Sequence, residues 1–144
     1  MLVQQILKSK PSAEVFTVVP GTSVGDAAKI LADKRIGTVV VSEGGADIQG
    51  ILSERDIVRE LAKRGASCLG ESVDAYMTRE IVTCTGSDTA DSVLAKMTEG
   101  RFRHMPVVQG EEMVGIVTIG DVVKARLTEL SMEKDALEGM IMGH

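Results

Sequence analysis

The sequence predicts an α/β fold of two tandem β-α-β-β-α repeats packed as one intramolecular pair, followed by an extended C-terminal helix. Three observations carry this reading. The chain matches itself at an offset of 66 residues, short β-branched runs alternate with stretches of helical periodicity, and the 44% hydrophobic content is almost wholly aliphatic, with two Phe, one Tyr and no Trp. A chain of 144 residues buries enough surface on folding to support its own core without metals or disulfides.

The duplication is explicit. Val15-Phe16-Thr17-Val18-Val19-Pro20 aligns with Ile81-Val82-Thr83-Cys84-Thr85-Gly86, and Arg35-Ile36 with Arg101-Phe102. After Ser42 the offset falls to 65, where Gly50-Ile51-Leu52-Ser53-Glu54-Arg55-Asp56-Ile57-Val58 aligns with Gly115-Ile116-Val117-Thr118-Ile119-Gly120-Asp121-Val122-Val123, so one residue is lost in a surface turn.

Each copy opens with a predicted strand, Val15 to Val19 or Ile81 to Thr85. A helix follows, with apolar positions at Val24, Ala27, Ala28 and Leu31, or Ala90, Val93, Leu94 and Met97. That spacing sets one stripe against a core. Two more strands come next, Thr38 to Val41 and Ile48 to Leu52, joined by Glu43-Gly44-Gly45-Ala46-Asp47, whose glycines permit the positive φ of a hairpin. The second copy uses Met105 to Val108 and Met113 to Val117 around Gln109-Gly110-Glu111-Glu112. A second helix is expected from Asp56 and from Asp121. Met97, Met105 and Met113 fall on core-facing positions. One such unit cannot cover both faces of its sheet, so the two copies are expected to pack on each other.

Sixteen basic and twenty-one acidic residues leave a net charge of −5, and the two signs are interleaved along the chain. No basic field exists to hold a nucleic-acid backbone, so nucleic acid is not an expected partner. Cys68 and Cys84 lack metal-ligand spacing and read as reduced thiols. The first twenty residues hold Gln4, Gln5, Lys8, Lys10 and Pro11 in place of a long apolar run, and eighteen apolar residues nowhere occur together. The expected location is the cytoplasm, with no membrane partner. No Ser/His/Asp or Cys/His arrangement suggests an enzyme, and the two histidines include the terminal His144.

Ser53-Glu54-Arg55-Asp56 and Thr118-Ile119-Gly120-Asp121 each place a hydroxyl three residues before a carboxylate at a helix start. This is a capping box, which stabilises a helix whether or not a ligand exists. The same groups also suit a ribose phosphate. Helix N–H groups and a hydroxyl can meet phosphate, and a carboxylate can accept from two vicinal hydroxyls.

The order of elements, with Gly-aliphatic-aliphatic-Ser/Thr-x-x-Asp closing each copy, resembles the cystathionine β-synthase (CBS) repeat, and the pair resembles a Bateman module. The likeness covers about Ile6 to Leu127. Val3-x-x-Ile6-Leu7 and Val73-x-x-Tyr76-Met77 fit its helical lead-ins. Domain bounds on this reading are residues 6–64 for the first repeat, 76–128 for the second and 129–144 for a helical extension.

The resemblance implies two ligand clefts. One joins Ile116, Thr118 and Asp121 to Thr17, Val18, Ile36 and Thr38. The other joins Ile51, Ser53 and Asp56 to Thr83, Cys84, Arg103, Met105 and Pro106. The segment Arg101 to Val107 is similar to the family's stretch of phosphate-facing basic side chains, with Arg103 and His104 replaced by Gly37 and Thr38 in the first copy, so the clefts are not equivalent. His104 remains open between a structural hydrogen-bonding residue and a ligand contact. Arg55 can reach phosphate or pair with Glu54, Glu60 or an acid of a partner, surface pairing being favoured. Arg59, Glu60, Lys63 and Arg64 read as a solvated face.

The implied function is a sensor that binds an adenine nucleotide, AMP first, with ADP, ATP or NAD(H) as alternatives, and acts on an unidentified regulated protein. The rival is a purely structural dimerisation module. Val123, Leu127, Leu130, Leu137 and Ile141 continue an apolar spacing, interrupted by Lys134, past the repeat. The stripe either folds back on its own subunit or makes a contact across a homodimer, and the second use is preferred because the resemblance implies disc-like dimers.

Overall fold

The structure is a computed structural model, and it describes residues 1–11 and 14–142. The element order is α1 (Val3–Ser9), β1 (Thr17–Val18), α2 (Val24–Lys34), β2 (Thr38–Val41), β3 (Gly50–Ser53), α3 (Glu54–Arg64), two short 3₁₀ turns (Gly65–Gly70 and Val73–Ala75), α4 (Ala90–Gly100), β4 (His104–Gln109), β5 (Glu112–Thr118) and α5 (Ile119–Ile141). The mixed α/β pair of repeats with a long C-terminal helix is therefore present.

The chain divides into two compact units, and neither is simply one repeat. One comprises Glu14–Val82 and Gly110–Val114; the other comprises Met1–Ala13, Thr83–Gln109 and Gly115–His144. Each lead-in has joined the other repeat's unit.

In the first-repeat unit β1 runs parallel to β2 and β2 antiparallel to β3, in the register Thr17 to Val40, Thr38 to Ser53 and Val40 to Ile51. The four residues of β2 are all buried, and Val39 and Val41 share a core with Val24, Ala27 and Leu31 of α2. Val24, Ala27 and Leu31 of α2 enter the core, as the periodicity requires. Val73 and Met77 complete that core. They are held by Val73 N donating to Thr22 O at 2.8 Å and Val24 N donating to Glu71 O at 2.8 Å. In the hairpin between β2 and β3 the positive φ belongs to Gly45, at 90°. The Asp47 carboxylate ties the turn by accepting from Ser42 Oγ at 2.6 Å and Gly44 N at 3.0 Å.

The other unit repeats the arrangement with α1 as its lead-in. Val3 and Ile6 join Ala90, Val93, Met97, Met105, Val107, Val117, Val122 and Ala125 in one core. The attachment mirrors the first: Val3 N donates to Asp88 O at 2.9 Å, and Ala90 N to Met1 O at 2.9 Å. Met113, which belongs to the first-repeat unit, is half-buried, less than its core-facing position implies.

Several sequence expectations are revised. The strand expected over Ile81 to Thr85 is reduced to a parallel bridge between Cys84 and Val107. The strand expected over Val15 to Val19 is two residues long. The helices expected from Asp56 and Asp121 start two residues earlier, at Glu54 and Ile119, because Ser53 and Thr118 are the N-caps and the aspartates occupy N3. Among the described residues no helix is long and apolar enough to cross a membrane.

Candidate functional site

Both repeated motifs form closed capping boxes. In the first, Asp56 N donates to Ser53 Oγ at 3.2 Å, and Ser53 N donates to Asp56 Oδ2 at 2.9 Å. In the second, Asp121 N donates to Thr118 Oγ1 at 3.1 Å, and Thr118 N donates to Asp121 Oδ2 at 2.9 Å. The residue after each cap is also engaged. Glu54 N donates to Gly37 O at 2.9 Å, and Ile119 N to Arg103 O at 2.8 Å, which are equivalent bonds in the repeat. Two of the first three amides of each helix are thus satisfied internally, leaving those of Arg55 and Gly120 outside these caps. Fewer free amides therefore remain at these helix ends than an uncapped helix start would offer. The Ser53 and Thr118 hydroxyl protons remain available as donors, and each carboxylate keeps a second oxygen for accepting hydrogen bonds.

Within the first-repeat unit Ser53 pairs directly across the sheet with Thr38, whose Oγ1 donates to Leu52 O at 3.4 Å. Thr38 and Val18 are buried, Ile36 and Ile51 half-buried, and Thr17 exposed. Arg55 is exposed and forms no ion pair among the described residues; Arg59 instead approaches Asp56, with Nη1 3.5 Å from Oδ1. The expected Arg55 pairing with Glu54 or Glu60 is therefore not formed, since Glu60 is taken by Arg64 at 3.2 Å.

In the other unit Met105, Pro106 and Cys84 are buried, Thr83, His104 and Ile116 half-buried, and Arg103 exposed. Cys84 is bonded to β4 through its backbone, with Cys84 N donating to Pro106 O at 3.0 Å and Val108 N to Cys84 O at 2.8 Å. Burial, assisted by the charge of Asp88 and opposed by Lys96, pushes its thiol up to about 11. Cys68 and Cys84 are both buried free cysteines. Arg101 is the left-handed C-cap of α4, with φ 57°.

The sequence reading missed one participant. Lys10 Nζ lies 3.0 Å from Asp121 Oδ2 and donates to Ile116 O at 3.0 Å. No local pattern reveals a contact between residues 106 positions apart in the chain.

The candidate residues thus fall into two groups, each described within its own unit. Thr17, Val18, Ile36, Thr38, Ile51, Ser53, Arg55 and Asp56 lie in one, and Thr83, Cys84, Arg103, His104, Met105, Pro106, Ile116, Thr118 and Asp121 in the other.

Comparison with known proteins follows the same lines. A CBS-domain containing protein from Agrobacterium tumefaciens is 43% identical, with a TM-score of 0.83 over 88% of this chain and 99% of that one. The CBS domain pair of protein MJ0100, solved in complex with 5′-methylthioadenosine and S-adenosyl-L-methionine, is 29% identical, with a TM-score of 0.76 over 90% of this chain and 98% of that one. A mitochondrial CBS domain-containing protein of Arabidopsis thaliana is 34% identical over 125 residues, which is 84% of this chain and 61% of the relative. The chain spans about a quarter (25%) of a second Arabidopsis relative, at 30% identity. The family profile of the CBS domain matches residues 3–63 and 73–128. Two matches of that extent, with the repeated capped motifs, establish that the chain belongs to the CBS domain family as a tandem pair of its repeats.

Proposed function

We propose that this chain binds adenine nucleotides and that occupancy regulates a separate protein or the module's own assembly. The observation that carries the proposal is the twofold occurrence of one donor and acceptor set, a capped hydroxyl and a part-buried carboxylate, at the starts of α3 and α5. A carboxylate with a spare oxygen beside a free hydroxyl proton suits the vicinal diol of a ribose. The compounds bound by the MJ0100 pair support this class of ligand. Like AMP, they carry adenine and a ribose with both hydroxyls. AMP is the proposed ligand, with ADP, ATP and NAD(H) in the same class, and exposed Arg103 is the proposed phosphate contact. Regulation requires only that ligand bind two states with different affinity. No catalytic step is proposed.

Calorimetric titration with AMP, ADP, ATP, NAD and S-adenosyl-L-methionine tests the reading. Asp56→Ala and Asp121→Ala should each weaken binding at one site by about ten- to a hundredfold, the effect of losing hydrogen bonds to a charged group. Wild-type affinities in the double variant would overturn it.

A second reading has its own support. The capping boxes are complete by themselves, and α5 exposes Leu127, Leu130, Leu137 and Ile141. Both features suit a structural module that pairs through α5. If no adenine compound raises the melting temperature, this reading stands.

A further inference from the structure

We infer that Lys10 is a specificity-determining residue of the Thr118–Asp121 motif, paired with the carboxylate so that the two together read a ribose diol. The inference rests on the ligand-binding reading above and adds to it a residue outside the repeated motif.

The geometry is confined to one compact unit. The Lys10 ammonium is tethered twice, to Ile116 O and to Asp121 Oδ2, both at 3.0 Å, and its side chain is only 18% exposed. A lysine head held by a carbonyl and a carboxylate with little water around it is fixed in place, and displacing it would break two charge-assisted bonds. An ammonium has three N–H donors, and these tethers use two. Asp121 Oδ2 is filled by Lys10 and by Thr118 N at 2.9 Å, so the carboxylate's remaining capacity lies at Oδ1. One acceptor oxygen and one positioned cationic donor therefore stand side by side. A vicinal diol satisfies both, one hydroxyl donating to Oδ1 and the other accepting from Nζ. A deoxy analogue keeps one hydroxyl, which must donate to Oδ1 and accept from Nζ at once, so it offers these two partners fewer hydrogen bonds than the diol does.

The other motif lacks this device. Among the described residues, Asp56 Oδ2 accepts from Ser53 N, and the cation paired with this carboxylate is Arg59, 3.5 Å from Oδ1 on a side chain that is 58% exposed. An exposed, long side chain contributes little fixed geometry. The two sites should thus differ in how strictly they demand both hydroxyls.

The test uses the full chain carrying Asp56→Ala, which leaves the Thr118–Asp121 motif alone, titrated by calorimetry with AMP, 2′-deoxy-AMP and 3′-deoxy-AMP. Adding Lys10→Met should reduce the preference for AMP over the weaker deoxy analogue by about tenfold, the loss of one charge-assisted hydrogen bond. Lys10→Leu, which also removes both the charge and the donors, should give the same loss and serves if Lys10→Met does not fold. An unchanged preference in a folded Lys10 variant would overturn the inference and make Lys10 a structural tether. Tighter AMP binding in either variant would overturn it too, since the ammonium would then compete with ligand. If wild type binds AMP but the Asp56→Ala protein does not, this inference fails alone. If wild type binds no adenine nucleotide, the functional reading fails with it.

Discussion

Met77 occupies the space that a side chain on Gly50 would need. A Cβ built on Gly50 would lie 2.6 Å from Met77 Cγ and 3.0 Å from Met77 Cβ. The equivalent glycine of the second copy, Gly115, meets the other lead-in, with Leu7 Cδ2 at 3.0 Å and Cδ1 at 3.1 Å. The glycine that opens each motif is therefore a packing device. It lets the lead-in of one repeat lie against the third strand of the other, placing the motif's hydroxyl and carboxylate just beyond that contact.

Gly50→Ala should accordingly destabilise the fold by about 1–3 kcal/mol, the cost of overpacking a filled core. Part of the clash falls on Met77 Cβ, which cannot swing away without moving backbone. Gly115→Ala should cost less, because the obstructing atoms are the terminal methyls of Leu7. Urea denaturation of the two variants checks the order. Equal losses would contradict the packing argument.

The repeat and its periodicities made the helices, the β2 strand and both capping boxes legible in the sequence, because each depends on residues within about one or two turns of one another. The lead-in exchange was not legible. Val3 and Val73 show the same local pattern whichever core receives them, and only contacts such as Val3 N to Asp88 O decide the matter. The missing strand at Ile81 to Thr85 has the same origin: β-branched residues favour extended backbone, but only Cys84 finds a ladder partner, Val107. Lys10 was invisible because its role arises from tertiary approach to Ile116 and Asp121.

Arg35 and Arg101, one in each repeat, close α2 and α4 in the left-handed conformation, with φ of 54° and 57°. Their amides donate to Leu31 O and Met97 O, so the conformation is required by the cap. A residue with a Cβ is strained there, and glycine is not. Arg101→Gly should therefore stabilise the protein by roughly 0.5–1 kcal/mol. A loss of stability in chemical denaturation would mean that the Arg101 side chain contributes more than its backbone costs.

The Cys84 thiol gives a pH-dependent signature. Its folded value of about 11 lies above the ordinary 9.0, chiefly through burial, so the folded state holds the proton more tightly than the unfolded chain. The resulting stability is fully present below pH ~9 and is lost as pH rises towards ~11. The thiolate is the reactive form, and it is scarce in the native protein at pH ~8. Iodoacetamide should consequently label Cys84 slowly in the native protein and quickly in urea, as read by peptide mass. Rapid native labelling of Cys84 would contradict the burial argument.

The outer face of α5 carries exposed apolar side chains. Val122 and Ala125 turn inward, which directs Leu127, Leu130, Leu137 and Ile141 to solvent, each at least 48% exposed. This row of branched apolar side chains, interrupted by Lys134, has the helical spacing that a second helix covers. In the homodimer we propose, the row is the contact. Leu130→Glu combined with Leu137→Glu places charges at positions already exposed in one protomer, so the circular dichroism spectrum should stay as in wild type. Burying those carboxylates across an interface is costly, so the dimer should dissociate at concentrations where the wild type stays paired. Sedimentation at micromolar protein reads the difference directly. A monomeric wild type, or a variant that stays dimeric, would show that this row is not the contact.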